Sequence, residues 1–133
     1  MPAFRVREQF ATRWSDNDQY GHINNTVYYL AMDTVVNTWM IREGGLDPQG
    51  RAIALCAASS CEFHASASFP DVLDVGIGVE RLGRTSVTWR LGILRGDERI
   101  ATGRFVHVFV DAATRRPVPI PSSIGDAIEA QLL

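Results

Sequence analysis

Residues 24–45 read NNTVYYLAMDTVVNTWMIREGG, and this stretch decides the fold. Asn24 and Asn25 are favoured N-cap residues, and an apolar run follows them directly. The pattern predicts a helix over about residues 26–43, closed by two glycines where a C′ glycine is favoured. The polar residues form only a narrow strip, at Asp33, Thr34, Asn37 and Thr38. Because a surface helix has a wide polar face, we expect this helix to be buried on most sides.

The flanking sequence predicts a sheet that would enclose this helix. Residues 4–14 suit a first strand, on which Phe4, Val6, Phe10 and Trp14 would share one buried face. Four more strands are predicted at residues 52–68, 72–82, 85–95 and 99–111, and a short helix at about residues 122–132. Neither a repeat nor a linker divides the sequence. We therefore expect one α+β domain over residues 1–133, a curved antiparallel sheet of about five strands around one long central helix.

The last predicted strand is apolar on both faces. On one face lie Ile100, Val106, Val108 and Val110, and on the other Ala101, Phe105 and Phe109. A sheet face that is apolar although it points away from the helix suggests a partner subunit.

Composition argues against several classes of protein. The chain has 133 residues, of which 46% are hydrophobic and 21% charged, as is typical of one globular domain. Its net charge of −2 and pI near 5.9 argue against a nucleic-acid or membrane-surface binder, which would carry a basic patch. No apolar run approaches the roughly 18 residues that span a bilayer. The N-terminus is charged and alternating, unlike a signal peptide, so we expect a cytoplasmic protein.

The two cysteines, Cys56 and Cys61, form no disulfide framework and have neither metal nor redox spacing. Their odd separation would place them on opposite faces of one strand. We expect both to be reduced packing residues.

The segment directly before the helix, residues 13–25 (RWSDNDQYGHINN), concentrates the polar chemistry of the chain. The free N–H groups and positive dipole end of a helix start stabilise an oxyanion. A carboxylate beside such a site acts as nucleophile or general base toward a carbonyl carbon. Gly21 would let the backbone turn tightly or approach a ligand closely.

Metal binding is a weaker interpretation of this segment. Residues 16–21 follow the start of a calcium loop, but Tyr20 and Val27 stand where ligands are required. Asp16, Asp18 and His22 offer too few well-spaced ligands for a transition metal. We expect neither a metal site nor a cofactor.

A purely structural loop is the remaining alternative from the residues alone. Asp and Asn side chains often cap turns and helices, and this role is favoured for the side chains of Asp16, Asn24 and Asn25. For Asp18 and His22 the structural and the catalytic interpretation stay equally open.

Residues 14–28 follow the pattern Trp-Ser-Asp-x-Asp-x-x-Gly-His-Ile-Asn-Asn-x-x-Tyr. This pattern resembles the signature of hotdog-fold thioesterases of the 4-hydroxybenzoyl-CoA thioesterase type, and the similarity extends over nearly the whole chain. The resemblance implies hydrolysis of an acyl-CoA thioester. Asp18 would be the nucleophile or general base, and a backbone N–H near Asn25 would be the oxyanion donor.

The resemblance also implies substrate contacts and an assembly. His22, Asn24, Gly21 and Tyr28 would line the pocket or orient its loop. Coenzyme A carries phosphates that require cations, for which Arg84 is our candidate, with Arg81, Arg115 and Arg116 as others. The implied partners are an acyl-CoA substrate and a second copy of the chain, in a homodimer or homotetramer with sites at the subunit interface. Neither nucleic acid nor a membrane is expected as a partner.

Asp33 stands where relatives often have Glu. It would be a second acid–base group if it faced the pocket, whereas a hydrogen-bonded core carboxylate is favoured. His64 and His107 lie in predicted strands and are assigned to packing or surface roles. Two other functions remain as alternatives: a hotdog-fold hydratase, which usually carries an Asp-x-Asn-Pro-x-His motif, and a non-catalytic acyl-CoA-binding module.

Overall fold

The computed structural model describes residues 3–133, whose strands form one antiparallel sheet. The strands are β1 (Val6–Ala11), β2 (Ala52–Phe63), β3 (Val72–Leu82), β4 (Ser86–Arg95) and β5 (Glu98–Asp111). The helices are α1 (Asn25–Arg42) and α2 (Ser122–Gln131), and a 3-10 turn covers Trp14–Asp16. Neighbouring strands pair antiparallel in the order β1-β3-β4-β5-β2. The predicted α+β architecture, a curved antiparallel sheet packed on a central helix, is confirmed.

The central helix α1 begins where the sequence predicts. Asn24 is its N-cap, and the Asn24 Oδ1 accepts hydrogen bonds from the Thr26 N–H at 2.9 Å and from the Thr26 hydroxyl at 2.8 Å. At the other end the Glu43 N–H donates to the Trp39 carbonyl at 2.8 Å. Gly45 follows with φ of +68°, the left-handed conformation that favours glycine after a helix.

Only one face of α1 packs against the sheet. Its buried residues recur at helical spacing: Tyr28, Ala31, Met32, Val35, Val36, Trp39 and Met40. On the opposite face Asp33 and Thr34 are exposed, and so are the apolar side chains of Leu30 and Ile41. The expectation of burial on most sides is therefore wrong for the single chain, because the sheet covers one side of the helix.

The sheet meets α1 with a face of large apolar side chains. These are Leu73, Val75, Ile77, Val87, Trp89, Leu91, Ile93, Phe105 and Phe109. Gly103 of β5 lies on this face at a point of close approach to the helix. A Cβ added there would lie 2.3 Å from the sulfur of the fully buried Met32, so glycine makes room for the helix side chain.

The first strand is shorter than predicted, and its aromatic residues separate. Val6 and Phe10 pack against the core, but Phe4 and Trp14 do not share their face. Trp14 lies in the 3-10 turn and is 81% exposed. The prediction of one shared face is wrong for these two residues because strand pairing covers only residues 6–11.

Phe4 packs on the face of the sheet that points away from α1. It is 7% exposed and fills a slot left by Gly76 and Gly92, where an added Cβ would come within 2.5 Å of the ring. The guanidinium groups of Arg90 and Arg99 lie 4.3 Å and 5.1 Å from the ring centroid. These cation–π contacts and the glycine slot fix the N-terminal segment across the outer face.

A bulge in β2 places Cys56 and Cys61 on the same face of the sheet, although the sequence predicted opposite faces. The pairing of β2 with β5 shifts by one residue between Cys56 and Ala58. Cys56 therefore pairs with His107 and Cys61 with Gly103, and because His107 and Gly103 are four apart, both cysteines share one face. The prediction of opposite faces is wrong because it assumed unbroken alternation. Both thiols are free, and burial raises the pKa of Cys61 to about 11.

The C-terminal helix α2 packs against the end of α1 that is remote from the Asn24 cap. Ile124 and Ile128 are fully buried. The Gln131 side chain accepts a hydrogen bond from the Trp39 indole at 3.3 Å and donates to the Glu43 carboxylate at 3.1 Å. Neither α1 nor α2 is long and apolar enough to cross a membrane.

Candidate active site

The polar loop between β1 and α1 is anchored by Asp16. Its carboxylate is 1% exposed and accepts hydrogen bonds from the Arg13 backbone N–H at 2.8 Å and from the Arg13 guanidinium at 2.8 Å and 3.1 Å. The Asp16 carbonyl accepts the Asn24 N–H at 2.9 Å. These contacts join the two ends of the loop, so Asp16 has the structural role that the sequence favours.

Asp18 is fixed in the same loop with part of its carboxylate available. The Asp18 N–H donates to the His22 carbonyl, and its Oδ1 accepts the Tyr20 N–H, both at 2.8 Å. The Gly21 N–H returns to the Asp18 carbonyl at 3.1 Å. Gly21 has φ of +80°, so the predicted tight turn is confirmed. Among residues 3–133 the Asp18 Oδ2 has no hydrogen-bond partner, which leaves it available to a substrate.

The segment after β2 folds back beneath this loop instead of continuing the strand to residue 68. β2 ends at Phe63. The Ser68 hydroxyl donates to the Gly21 carbonyl at 2.7 Å, and the Phe69 N–H donates to the Asn17 Oδ1 at 3.0 Å. The predicted strand was too long because its small residues continue past the point where pairing with β5 stops.

Asp71 and Arg95 hold the folded-back segment in place. The Asp71 carboxylate accepts the Ser68 N–H at 3.1 Å and the Arg95 guanidinium at 2.9 Å. These two donors hold the pKa of Asp71 below its ordinary value, the Ser68 hydrogen bond having the larger effect. Arg95 also donates to the Ser66 carbonyl at 3.3 Å.

A cavity of about 290 Å³ lies between the loop and the start of α1. This helix-side cavity is lined by Asp18, His22, Ile23, Asn25, Tyr28, Phe63, Ala65 and Ser66. The Asn25 N–H, the first of the helix, has no hydrogen-bond partner within residues 3–133. The Tyr28 and Phe63 rings lie 5.4 Å apart, and burial raises the pKa of Tyr28. One cavity is thus lined by a residue with an unpaired carboxylate oxygen, a residue with an unpaired helix N–H and several apolar side chains.

A second cavity, of about 300 Å³, opens beside the loop itself. This loop-side cavity is lined by Trp14, Asn17, Asp18, Gln19 and Gly21. Asp18 is the one residue that lines both cavities. Asp18 therefore borders both spaces.

A third cavity, of about 270 Å³, lies farther along the groove between α1 and β2. It is lined by Tyr29, Leu30, Asp33, Cys56, Ser59 and Phe105. The Asp33 carboxylate accepts a hydrogen bond from the Asn37 amide at 3.1 Å, but Asp33 is exposed. The interpretation of Asp33 as a core carboxylate is wrong because it lies on the uncovered face of α1.

Asn24 and Arg84 were predicted to contact the substrate, but neither residue lines these three cavities. The Asn24 side chain is occupied as the helix cap. Arg84 follows the far end of β3, whereas the Asp18 loop follows β1, whose last residue Ala11 pairs with Val72 at the start of β3. Arg84 therefore lies at the opposite end of the sheet from Asp18. Of the predicted site residues, five line the helix-side or the loop-side cavity: Asp18, Gly21, His22, Asn25 and Tyr28.

Trp14, Phe63 and Ser66 line the cavities although the sequence did not point to them. Phe63 and Ser66 are remote from the motif in sequence, and only strand pairing and the folded-back segment bring them to it. Trp14 could have been found from the sequence, because it is the first residue of the motif. The prediction that it lies on the buried face of the first strand placed it in the core instead.

His64 lies just after β2, His107 lies within β5, and each contacts neighbouring side chains. The His64 Nε2 lies 2.9 Å from the Thr102 hydroxyl. His107 is 1% exposed, and its ring centroid lies 6.3 Å from that of Trp89 and 6.5 Å from that of Phe105. Burial lowers the pKa of His107. In the described part of the chain, no group of three His, Cys, Asp or Glu residues could hold a metal ion.

Residues 12–128 match the thioesterase-like superfamily. The chain belongs to this superfamily. Thioester hydrolysis is therefore its class of activity, and the resemblance found in the motif is confirmed. No curated protein matches the chain.

Solved structures show the same fold. The PA5185 protein from Pseudomonas aeruginosa strain PAO1 is 45% identical, with a TM-score of 0.92 over 97% of this chain and 92% of that one. Slr0204, a 1,4-dihydroxy-2-naphthoyl-CoA thioesterase from Synechocystis, is 18% identical, with a TM-score of 0.82 over 92% and 93%. SAV2348 from Staphylococcus aureus, solved in complex with CoA, is 15% identical, with a TM-score of 0.88 over 98% and 87%.

Proposed function

We propose that the protein is a cytoplasmic acyl-CoA thioesterase, a single hotdog domain that releases a free carboxylic acid and coenzyme A. The observation that carries the proposal is the helix-side cavity, which is lined by both Asp18 and Asn25. Membership of the thioesterase-like superfamily supports a thioester substrate. Two structural neighbours, one named for a naphthoyl-CoA substrate and one bound to CoA, support coenzyme A as the thiol.

The Asn25 N–H would polarise the thioester carbonyl. It stands at the start of an 18-residue helix, whose dipole adds positive potential at this end. As the tetrahedral intermediate forms, negative charge moves onto the carbonyl oxygen. A fixed backbone donor then stabilises the transition state more than the ground state. The role belongs to the backbone of Asn25, so its side chain is not required.

Asp18 would act on the carbonyl carbon through its available oxygen. As a nucleophile it forms a C–O bond, the C–S bond breaks, coenzyme A leaves as the thiolate, and water hydrolyses the resulting anhydride. As a general base it takes a proton from a water molecule that attacks the same carbon, and the same thiolate leaves. Either step needs a fixed carboxylate, which the contacts to Tyr20 and His22 supply.

The acyl group would lie against the apolar wall of the helix-side cavity. Ile23, Tyr28, Phe63 and Ala65 form this wall. A longer acyl group would continue along α1 into the third cavity, toward Phe105. His22 lines the helix-side cavity and would orient the substrate beside Asp18.

A second copy of the chain would close these cavities. β2 is an edge strand whose residues are largely exposed, and Glu62 is its one charged residue. A long, exposed edge strand with a single charge is a template for strand pairing. The uncovered face of α1 and the third cavity lie beside this edge. We therefore propose a homodimer joined along β2, or a tetramer of two such dimers, and light scattering should give at least twice the 14.7 kDa of one chain.

Thiol release from a panel of acyl-CoAs tests the function. The panel runs from acetyl to palmitoyl and includes benzoyl and phenylacetyl thioesters, with wild type, Asp18→Asn and Asp74→Asn compared. Asparagine keeps an acceptor for the Tyr20 N–H, so the loop should retain its shape. We expect Asp18→Asn to lower kcat about 10²- to 10⁴-fold. Asp74→Asn, a carboxylate on the outer face of β3, should keep the wild-type rate.

Two results would contradict the proposal. Full activity of Asp18→Asn would remove Asp18 as the catalytic group and make Asp33 the next candidate. If wild type released no thiol from any member of the panel, the acyl-CoA-binding module or the hydratase would become the better account.

A further inference from the structure

One face of β2 lines both the helix-side cavity and the third cavity. Phe63 lines the helix-side cavity, whereas Ser59 and Cys56 line the third. Their pairing partners on β5 are separated by even numbers of residues, so the three side chains share the face that points toward α1. The two cavities therefore follow one another along a single groove between α1 and β2.

This groove has the length of a medium acyl chain. Asp33, which lines the third cavity, follows Asn25 by eight residues of α1, a rise of about 12 Å. If the thioester carbonyl points to the Asn25 N–H, an extended chain of about ten carbons reaches the level of Asp33. A benzoyl ring is much shorter and ends within the helix-side cavity.

The lining of the groove becomes more polar toward the third cavity. The helix-side cavity has the apolar wall described above. The third cavity is lined by the Asp33 carboxylate, the Cys56 thiol and the Ser59 hydroxyl as well as by apolar groups. A ligand that fills both cavities would combine a hydrocarbon chain with a polar far end. The Asp33 carboxylate repels a negatively charged end, so an uncharged polar group fits better.

A buried imidazole at this end of the groove has an unpaired nitrogen. His107 is 1% exposed, and within residues 3–133 its Nδ1 has no hydrogen-bond partner. The Nε1 of Trp89 is also buried and unpaired, and the two rings meet edge to face with centroids 6.3 Å apart. Because buried polar atoms in proteins are nearly always hydrogen-bonded, these nitrogens indicate a ligand that supplies the missing bond.

His107 lies next to residues that line the third cavity. Cys56 is its cross-strand partner, and the Cβ atoms of such partners lie about 4.5–5.5 Å apart. Phe105 precedes it by two residues on the same face, with ring centroids 6.5 Å apart. Burial lowers the pKa of His107, and the nearby Asp33 carboxylate partly opposes this effect. The imidazole therefore borders the end of the groove that is remote from Asp18.

We propose that His107 gives the enzyme specificity for an acyl chain of about eight to ten carbons that carries a hydroxyl group at its far end. The proposal rests on the thioesterase function proposed above and names its substrate class. A neutral imidazole has one donor and one acceptor nitrogen, and a hydroxyl group both donates and accepts. Either tautomer of His107 would therefore pair with it.

Thiol release from three ten-carbon thioesters tests this proposal. Decanoyl-CoA is compared with its ω-hydroxy and β-hydroxy derivatives. Wild type should favour ω-hydroxydecanoyl-CoA over decanoyl-CoA about three- to tenfold in kcat/KM, the value of one net hydrogen bond. The β-hydroxy derivative has the same atoms but places the hydroxyl near the carbonyl, so it should gain nothing.

Variants at position 107 should change this preference. His107→Phe should reverse it, because the hydroxyl would then be buried without a partner. His107→Gln keeps a donor and an acceptor and should retain it. His64→Phe is the matched control, since His64 contacts Thr102 outside the cavities, and should keep the wild-type preference. A ratio of two substrates measured on one preparation does not depend on how much of a variant is folded.

Nitrogen NMR of the imidazoles provides a test without a variant at position 107. When Asp18→Asn binds uncleaved ω-hydroxydecanoyl-CoA, the ring nitrogen resonances of His107 should shift, and decanoyl-CoA should shift them less. Equal shifts with both ligands, or equal kcat/KM for all three thioesters in wild type, would overturn the proposal but leave the thioesterase function intact. If no thioester were hydrolysed, the thioesterase function would fail, and the imidazole spectrum would still decide whether the hydroxyl binds at His107.

Discussion

Replacing Gly76 by alanine should expel Phe4 from the outer face of the sheet. A Cβ at this position would lie 2.3 Å from the Phe4 Cγ and 2.8 Å from the Phe4 Cβ. Non-bonded carbons pack at about 3.5–4.0 Å, and contact with the Phe4 Cβ means that ring rotation alone gives no relief. Exposing a buried Phe costs about 1.5–3 kcal/mol, and alanine in a strand gains about 0.5–1 kcal/mol over glycine. We expect a net loss of about 1–2 kcal/mol in the free energy of unfolding.

A double-mutant cycle isolates this contact. Urea denaturation of wild type, Gly76→Ala, Phe4→Ala and the double variant gives the four free energies of unfolding. Once the ring is removed, alanine at position 76 meets no obstacle and should be neutral or stabilising. The coupling energy should be about 1–3 kcal/mol, and the kcat of Gly76→Ala should stay within twofold of wild type because the slot faces away from α1. Additive costs would refute the reasoning, since they would mean that Phe4 does not occupy the slot.

Three further predictions concern buried groups. Because burial lowers the pKa of His107 below 6.5, the folded protein binds fewer protons than the unfolded chain, so the free energy of unfolding should fall as the pH drops below 6.5. Urea titrations should show a slope of at most about 1.4 kcal/mol per pH unit from this group, which His107→Phe removes; an unchanged slope in that variant would contradict the assignment. Gly103→Ala should lower Tm because its Cβ crowds Met32. Gly125→Ala in α2 should raise Tm, because a Cβ there meets nothing within 4 Å. A higher Tm for Gly103→Ala than for Gly125→Ala would contradict the packing. In iodoacetamide labelling read by mass spectrometry at pH 8, Cys61 with its pKa of about 11 should react more slowly than the exposed Cys56, and faster labelling of Cys61 would contradict its burial.

Elements with strong local signals could be placed from the sequence. Asn24 caps α1 through its own side chain, which depends only on residues next to it. The predicted bounds of β3 match Val72–Leu82 because apolar and polar residues alternate cleanly there. Such signals lie within a few residues of one another, so no knowledge of the tertiary structure is needed to recognise them.

Features that depend on pairing between distant segments could not be predicted. The bulge after Cys56 follows from how β2 pairs with β5, and the outer position of Phe4 follows from two glycines on neighbouring strands. Phe63 reaches the Asp18 loop only because the chain folds back after β2. The motif therefore predicted that Asp18 lies beside the start of α1, whereas the walls of the cavities required the structure.

The most direct test of the account is a crystal structure of the Asp18→Asn variant with an intact acyl-CoA. We expect the thioester carbonyl oxygen to lie about 2.7–3.1 Å from the Asn25 backbone nitrogen. The carbonyl carbon should lie beside the residue 18 side chain, with the acyl chain along Tyr28 and Phe63. A thioester bound elsewhere, or one whose carbonyl points away from the start of α1, would contradict it.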